Sequence, residues 1–266
     1  MKNVMGWLWA VVDYPTLFWA FLRQDLRDRY AGTYGGALWS IATPVANMLI
    51  YLFVFSVVLK IRVNIEDAGT DSFVIFFISG LIPWLAFSEA LSRAPHVLSS
   101  NANLIKKVSF PVEILTFVTV GTSFILNGIA LLVFMLYLGV AGYANINWLL
   151  LPLLIVIHML FTQGLVGLAA IFGLFFRDFG NLVTIIIQIW FYATPILYPL
   201  SMVPAEYQNI VTLNPIYPFI ELYREILLGS ELTWHYLLID CIIAIVTLYL
   251  GGRFFMRARD AIGDFV

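Results

Sequence analysis

The sequence predicts an all-α membrane protein with six transmembrane helices in one domain. Of its 266 residues 62% are apolar and 11% charged, whereas soluble domains carry about 45–50% and about 25%. The mean hydropathy is +0.93. Several uncharged stretches are long enough to cross a hydrocarbon core about 30 Å thick. A β-barrel would need short alternating segments instead, and the sequence has none.

Residues 1–36 read as a cytoplasmic N-terminus. Lys2 precedes the apolar run Val4 to Val12, but that run is short and Asp13-Tyr14-Pro15 follows it instead of a small-residue cleavage site, so it is expected to stay in the mature protein. In Leu17 to Tyr30, Phe18, Leu22, Leu26 and Tyr30 recur every four residues, while Arg23, Gln24, Arg27 and Asp28 fall on another face. This is the pattern of an interfacial amphipathic helix: a plain anchor, or a lever that a soluble partner can push.

Residues 37–256 are expected to hold the six spans. No Asp, Glu, Lys or Arg occurs between Arg29 and Lys60, and the first span covers about Ala37 to Leu59 despite Pro44, tolerable where neighbouring helices satisfy the freed carbonyl. The second runs from about Ser72 to Leu91. Residues 92–110 are too polar to cross and carry Lys106-Lys107 before Phe110-Pro111. Ile114 to Phe176 is 63 residues without a formal charge, about twice one crossing at 1.5 Å per residue, so it holds two spans joined at Gly139 to Asn147. Asn181 to about Tyr198 is the fifth span, ending in the Pro195 to Pro199 stretch. Asn214-Pro215 and Gly229 bracket a short helix with helix start and stop signals; it carries Glu221, Arg224 and Glu225 and is read as re-entrant or interfacial. Trp234 to Met256 is the sixth span, and residues 257–266 form a cytoplasmic tail.

With both termini inside, eleven of the fourteen basic residues lie on the cytoplasmic side and only Lys60, Arg62 and Arg224 outside, a strong positive-inside bias.

Several functions are excluded or left without a site. The net charge of −2 and the absence of a basic field argue against a nucleic-acid partner. One cysteine, Cys241, rules out an internal disulfide, and His96, His158 and His235 lack metal-binding spacing. No phosphate-binding loop, G-x-S-x-G or H-E-x-x-H occurs. Neither cofactor nor metal is expected on this chain, and no catalytic residue is assigned.

Three constellations remain. Leu104, Ile105 and Val108 form an apolar stripe that a soluble partner could bury, with Lys106 and Lys107 beside it; alternatively the lysines only orient the chain. Trp190, Phe191, Tyr192 and Tyr198 cluster where a pathway could run, their faces offering a passing sugar contact without a deep well, although belt and core packing explains single aromatics equally. Asp240 lies about 9 Å into the last span and His158 near the middle of the fourth. Ionisable groups there are functional by default; the plainer roles are a structural hydrogen bond to a neighbouring helix for Asp240 and satisfied packing for His158, whose functional alternative is a ligand or proton role.

Four stretches together resemble the permease subunits of ABC-type polysaccharide exporters, the group that exports O-antigen, capsule and teichoic-acid polymers. They are RYAGTYGGALWSIATP from Arg29 to Pro44, LIKKVSFPVEIL from Leu104 to Leu115, Phe176-Arg177-Asp178 with Pro195-Ile196-Leu197-Tyr198-Pro199, and Asn214-Pro215 with Arg224. Gly35 stands where the family usually has leucine and Thr116 where it often has proline. The resemblance implies a homodimer in the bacterial inner membrane, its pathway near the twofold interface, with two copies of a cytoplasmic ABC ATPase that bind ATP and Mg. It further implies ATPase contacts at the amphipathic helix (Arg23, Arg27, Arg29) and at Leu104 to Val108 and Phe110, and an outer gate within Pro199 to Leu232, which includes Asn214 and Arg224. The implied cargo is a lipid-linked glycan, O-antigen by preference, with capsule and teichoic acid open. A drug- or lipid-exporting ABC permease and a self-contained glycan acyltransferase are the rival readings.

The topology is testable by cysteine labelling. Cysteines replacing Asp67 and Gln208 should react from outside and one replacing Asn103 only from inside; the reverse pattern would refute the orientation.

Overall fold

A computed structural model describes residues 4–29, 36–59, 69–107 and 110–265. Among these the chain is helical, and five helices are long and apolar enough to cross a membrane: Ile41–Val58, Phe73–His96, Ile114–Val140, Ile146–Phe175 and Trp234–Gly263. The expected fifth span is shorter than a regular crossing. Helix Phe179–Ala193 has 15 residues, roughly 22 Å at 1.5 Å per residue, because the backbone leaves the helix at Thr194 before Pro195. Five candidate spans and one short apolar helix thus stand where six spans are expected.

In chain order the helices are α1 (Val4–Asp13), α2 (Pro15–Asp28), α3 (Trp39–Leu52, continued by a π-turn over Phe53–Val58), α4 (Phe73–Arg93), α5 (Ala102–Lys107), α6 (Ile114–Val140), α7 (Leu151–Phe175), α8 (Phe179–Ala193), α9 (Ala205–Thr212), α10 (Tyr217–Leu228) and α11 (Trp234–Phe265).

α4 is the hub. From Phe73 to Ser88 it has no charge on any side, as expected of a helix surrounded by others, and 89% of its membrane-length stretch is buried, against 0% for that of α3. It packs on α6, α10, α7 and α8, and Phe76, Phe87 and Trp84 anchor the main core with Phe134, Phe161 and Phe219.

α7 and α11 make the closest helix pair. Gly164 lies against the backbone of Thr247 and Leu248, and Gly251 against the carbonyl of Gly164, so neither position has room for a Cβ. Small residues let membrane helices approach closely where no hydrophobic drive pushes them together.

The N-terminal apolar run, expected only to remain on the chain, is helix α1, and it docks. Trp7 is fully buried between Phe117 and Phe255 in a second core with Val97, Leu98 and Ile262. The amphipathic helix α2 behaves as its periodicity predicts. Leu22 is 2% exposed and sits over Gly121 of α6 beside Phe18, while Arg23 and Arg27 face outward.

Gly164→Val should cost about 1–3 kcal/mol through overpacking. Gly128→Val on α6, where a Cβ meets nothing within 4 Å, should cost far less. Thermal unfolding of the two variants in detergent checks the ranking.

Candidate functional site

Two regions gather the sequence-predicted residues, one at each end of α4. Near its C-terminus Asp25 of α2 accepts from Arg93 at 2.6 Å and lies 3.9 Å from Arg29. Arg29 also pairs with Glu89 of α4, and Asn127 of α6 donates to the second Glu89 oxygen at 2.8 Å. Arg29 therefore stitches α2 to α4, and Glu89 carries the link on to α6, unlike the outward Arg23 and Arg27. Such half-exposed pairs stabilise weakly one at a time, but here they share partners across three helices.

A cleft of about 330 Å3 opens beside this network, lined by Gln24 and Asp28 on one side and by His96, Ser100, Asn101 and Leu104 on the other. Phe110 packs edge-on against Phe21 of α2, ring centroids 5.6 Å apart. Leu104 and Ile105 are half-buried, Ile105 against the Trp7 core, while Lys106 and Lys107 are exposed. Val108 lies outside the described residues. The stripe is therefore partly covered by its own chain, leaving one side of a six-residue helix open.

At the other end of α4, the turn after α8 is fastened by buried polar side chains. Arg224 of α10 is 3% exposed. It donates to the Ile196 carbonyl at 3.0 Å and the Phe76 carbonyl at 3.4 Å, pairs with Glu221 at 2.8 Å, and lies over the Phe76 ring. Gly80 makes its space, since a Cβ there would meet the guanidinium at 2.8 Å. Asn214 accepts from Trp190 Nε1 at 2.7 Å and donates to Thr194 Oγ1 at 2.8 Å. Trp190 is itself edge-on to Phe87. Pro199 is buried, and the Tyr198 hydroxyl donates to the Tyr192 carbonyl at 2.9 Å. Tyr192, 67% exposed, presents its ring outward, whereas Asn214 and Arg224 are engaged with protein groups.

α10 is buried over ten of its twelve residues. Its start lies beyond the anticipated Asn214-Pro215 cap, and its stop is the expected one: Gly229 adopts φ 76°, the left-handed conformation that glycine takes without strain. Asn145 donates to the Ile226 carbonyl at 3.2 Å and Trp148 to that of Leu227 at 3.1 Å, capping α10 from the α6–α7 loop. Neither residue was singled out by sequence reasoning, because a cap given across about 80 positions leaves no local pattern.

Asp240 and His158 are both fully buried, and neither side chain has a hydrogen-bond partner among the described residues. The structural hydrogen bond anticipated for Asp240 is thus not among those present. His158 stands in an aromatic box of Phe219, Phe124 and Tyr223, the Phe219 ring stacked at 4.8 Å. No group of three or more His, Cys, Asp or Glu suited to a metal occurs among the described residues.

Charged side chains thus gather at one end of α4 and a fastened aromatic turn at the other, and comparison with known proteins assigns the chain a family. The sequence model of the ABC-2 type transporter family matches residues 16–228, most of the chain. The chain belongs to the ABC-2 type transporter family. As a member of that family it is a transporter permease of several apolar helices. It is similar to an O-antigen export system permease protein RfbA from Klebsiella pneumoniae, 28% identical over 263 residues, covering 97% of this chain and 96% of the relative. A Myxococcus xanthus protein of the same name is 30% identical over 257 residues, with 95% and 96% covered. The polysialic acid transport protein KpsM from Escherichia coli is 24% identical over 248 residues, with 91% and 93% covered. The ABC-2 match spans α2, the Arg29 network, α5 and the Arg224 turn alike.

Arg224→Ala should destabilise the permease by about 3 kcal/mol, because Glu221 and two buried carbonyls lose their donor. Tyr192→Ala should leave stability within about 0.5 kcal/mol. Detergent melting curves of both variants decide.

Proposed function

We propose that the chain is the membrane permease of an ATP-driven exporter that moves a lipid-linked polysaccharide, O-antigen by preference, from the cytoplasmic to the outer face of the bacterial inner membrane. The observation that carries this is similarity along nearly the whole chain to proteins named as O-antigen export permeases. The weaker likeness to a polysialic acid transporter keeps capsule export as the second reading. Two chains form the passage, both termini lie in the cytoplasm, and two copies of a separate ABC ATPase supply the energy by hydrolysing Mg-bound ATP. This chain has no phosphate-binding loop of its own.

The open side of α5 and the outward face of α2 are the surfaces offered to the ATPases. Exposed Lys106 and Lys107 follow half-buried Leu104 and Ile105 on α5, and Arg23 and Arg27 are exposed on α2, the makings of an apolar patch with a charged rim. At the far end, Tyr192 and the partly exposed Trp190 and Tyr198 offer aromatic faces to the sugar, and the Arg224 fastening keeps the gate segment Pro199 to Leu232 seated on α4.

Deleting the gene should make lipid-linked polymer accumulate on the cytoplasmic side, and the sugar that accumulates distinguishes O-antigen from capsule. Replacing Leu104 and Ile105 together by alanine should weaken ATPase co-purification by about 2–4 kcal/mol. Glutamine at Lys106 and Lys107 should do less, since rim charges chiefly tune encounter. Normal ATPase binding and normal export in the double-alanine protein would exclude α5 as the coupling surface.

A further inference from the structure

Between α4 and α5 the chain makes a 3-10 turn over Ala94–His96, and this turn is seated at three places. Arg93, just before it, is held by Asp25 of α2 at 2.6 Å. The Pro95 backbone lies against Gly173 of α7 so closely that a Cβ there would overlap it. The His96 ring lies over Gly180, the second residue of α8, where a Cβ would overlap the Nε2–Cε1 edge. Gly180 is buried while His96 remains exposed, so the imidazole covers the start of α8 from the side of the cleft.

α8 then runs to Trp190 and Tyr192. The segment that leads into α5 thus touches the base of the helix whose far end bears the aromatic turn. A helix of this length is stiff, and packed side chains carry displacement between elements when each has discrete seatings.

We propose that His96 is a positioning residue which, through its contact with Gly180, passes displacement of the segment 94–107 to α8 and so to the Trp190–Asn214 turn. This rests on the export reading above. The contact is steric: the ring fills the space that glycine leaves, and an aromatic ring of similar size should serve as well.

The test uses the permease co-expressed with its ATPase. Four variants are compared, His96→Ala, His96→Phe, Gly180→Ala and the His96→Ala, Gly180→Ala pair, and two quantities are read: ATP hydrolysed and glycan exported. His96→Ala should keep ATPase binding and hydrolysis while export per ATP falls about fivefold, the scale of one lost side-chain contact. His96→Phe should restore it. Gly180→Ala should lower it too, by displacing the exposed ring rather than unfolding the helix. The pair should be no worse than either single change, because both break one contact.

Unchanged export per ATP in His96→Ala, or losses that multiply in the pair, would overturn the proposal. A second readout does not depend on glycan. In a Cys241→Ser, Ile189→Cys chain, thiol labelling of the outward-facing Ile189 position on α8 should change when nucleotide is added, and His96→Ala should abolish that change. Labelling that still responds in His96→Ala would also overturn the proposal. A wild-type complex that exports no glycan yet shows this labelling change would refute the export reading and leave the relay standing.

Discussion

In hydrocarbon a carbonyl released from a helix finds no water, so irregular backbone at membrane depth exists only where the protein brings a donor to it. The turn after α8, buried at Thr194 and Ile196, is likewise shut off from water and finds its donor in Arg224. One guanidinium donates to the Ile196 carbonyl in the turn and the Phe76 carbonyl on α4, and Glu221 balances its charge. A fully desolvated cation would be untenable without such partners. Gly80 provides the room, Asn214 closes the turn onto Trp190 and Thr194, and Asn145 and Trp148 cap α10. These donors and carbonyls join α4, α8 and α10 to one another and to the loop between α6 and α7.

Much of the architecture is legible in the sequence because its signals are local. The four-residue rhythm of Phe18, Leu22 and Leu26 shows α2 directly, and Gly229 marks the end of α10. The long apolar stretches become α3, α4, α6, α7 and α11. What stays hidden depends on distant partners. Trp7 becomes a core residue only because α6 and α11 bring Phe117 and Phe255 to it, so α1 has no signature beyond being apolar. Composition also lets Asn181 to Tyr198 pass for a full span, whereas Pro195 and the donors that serve Ile196 cut it short.

The candidate site divides in the same way. Lys106 and Lys107 are where a polar break should expose them, and Tyr192 presents the ring that its type suggests. Arg29, Asn214 and Arg224 carry motif resemblance, yet their surroundings give them joining roles that no spacing encodes. A motif residue can be characteristic of a family because the frame requires it, apart from any contact with cargo. The His158 box is another product of tertiary packing, since its walls come from α4, α6, α7 and α10.

α8 has one more consequence, for the lipid around the protein. A helix of roughly 22 Å packs beside α4 and α7, of 21 and 25 residues, where a full crossing of the hydrocarbon takes about 30 Å. Lipid that meets so short a helix thins locally or lets headgroups dip beside it, at a cost of fractions of a kcal/mol for each ångström of mismatch. Acyl-chain length would then load this helix in particular.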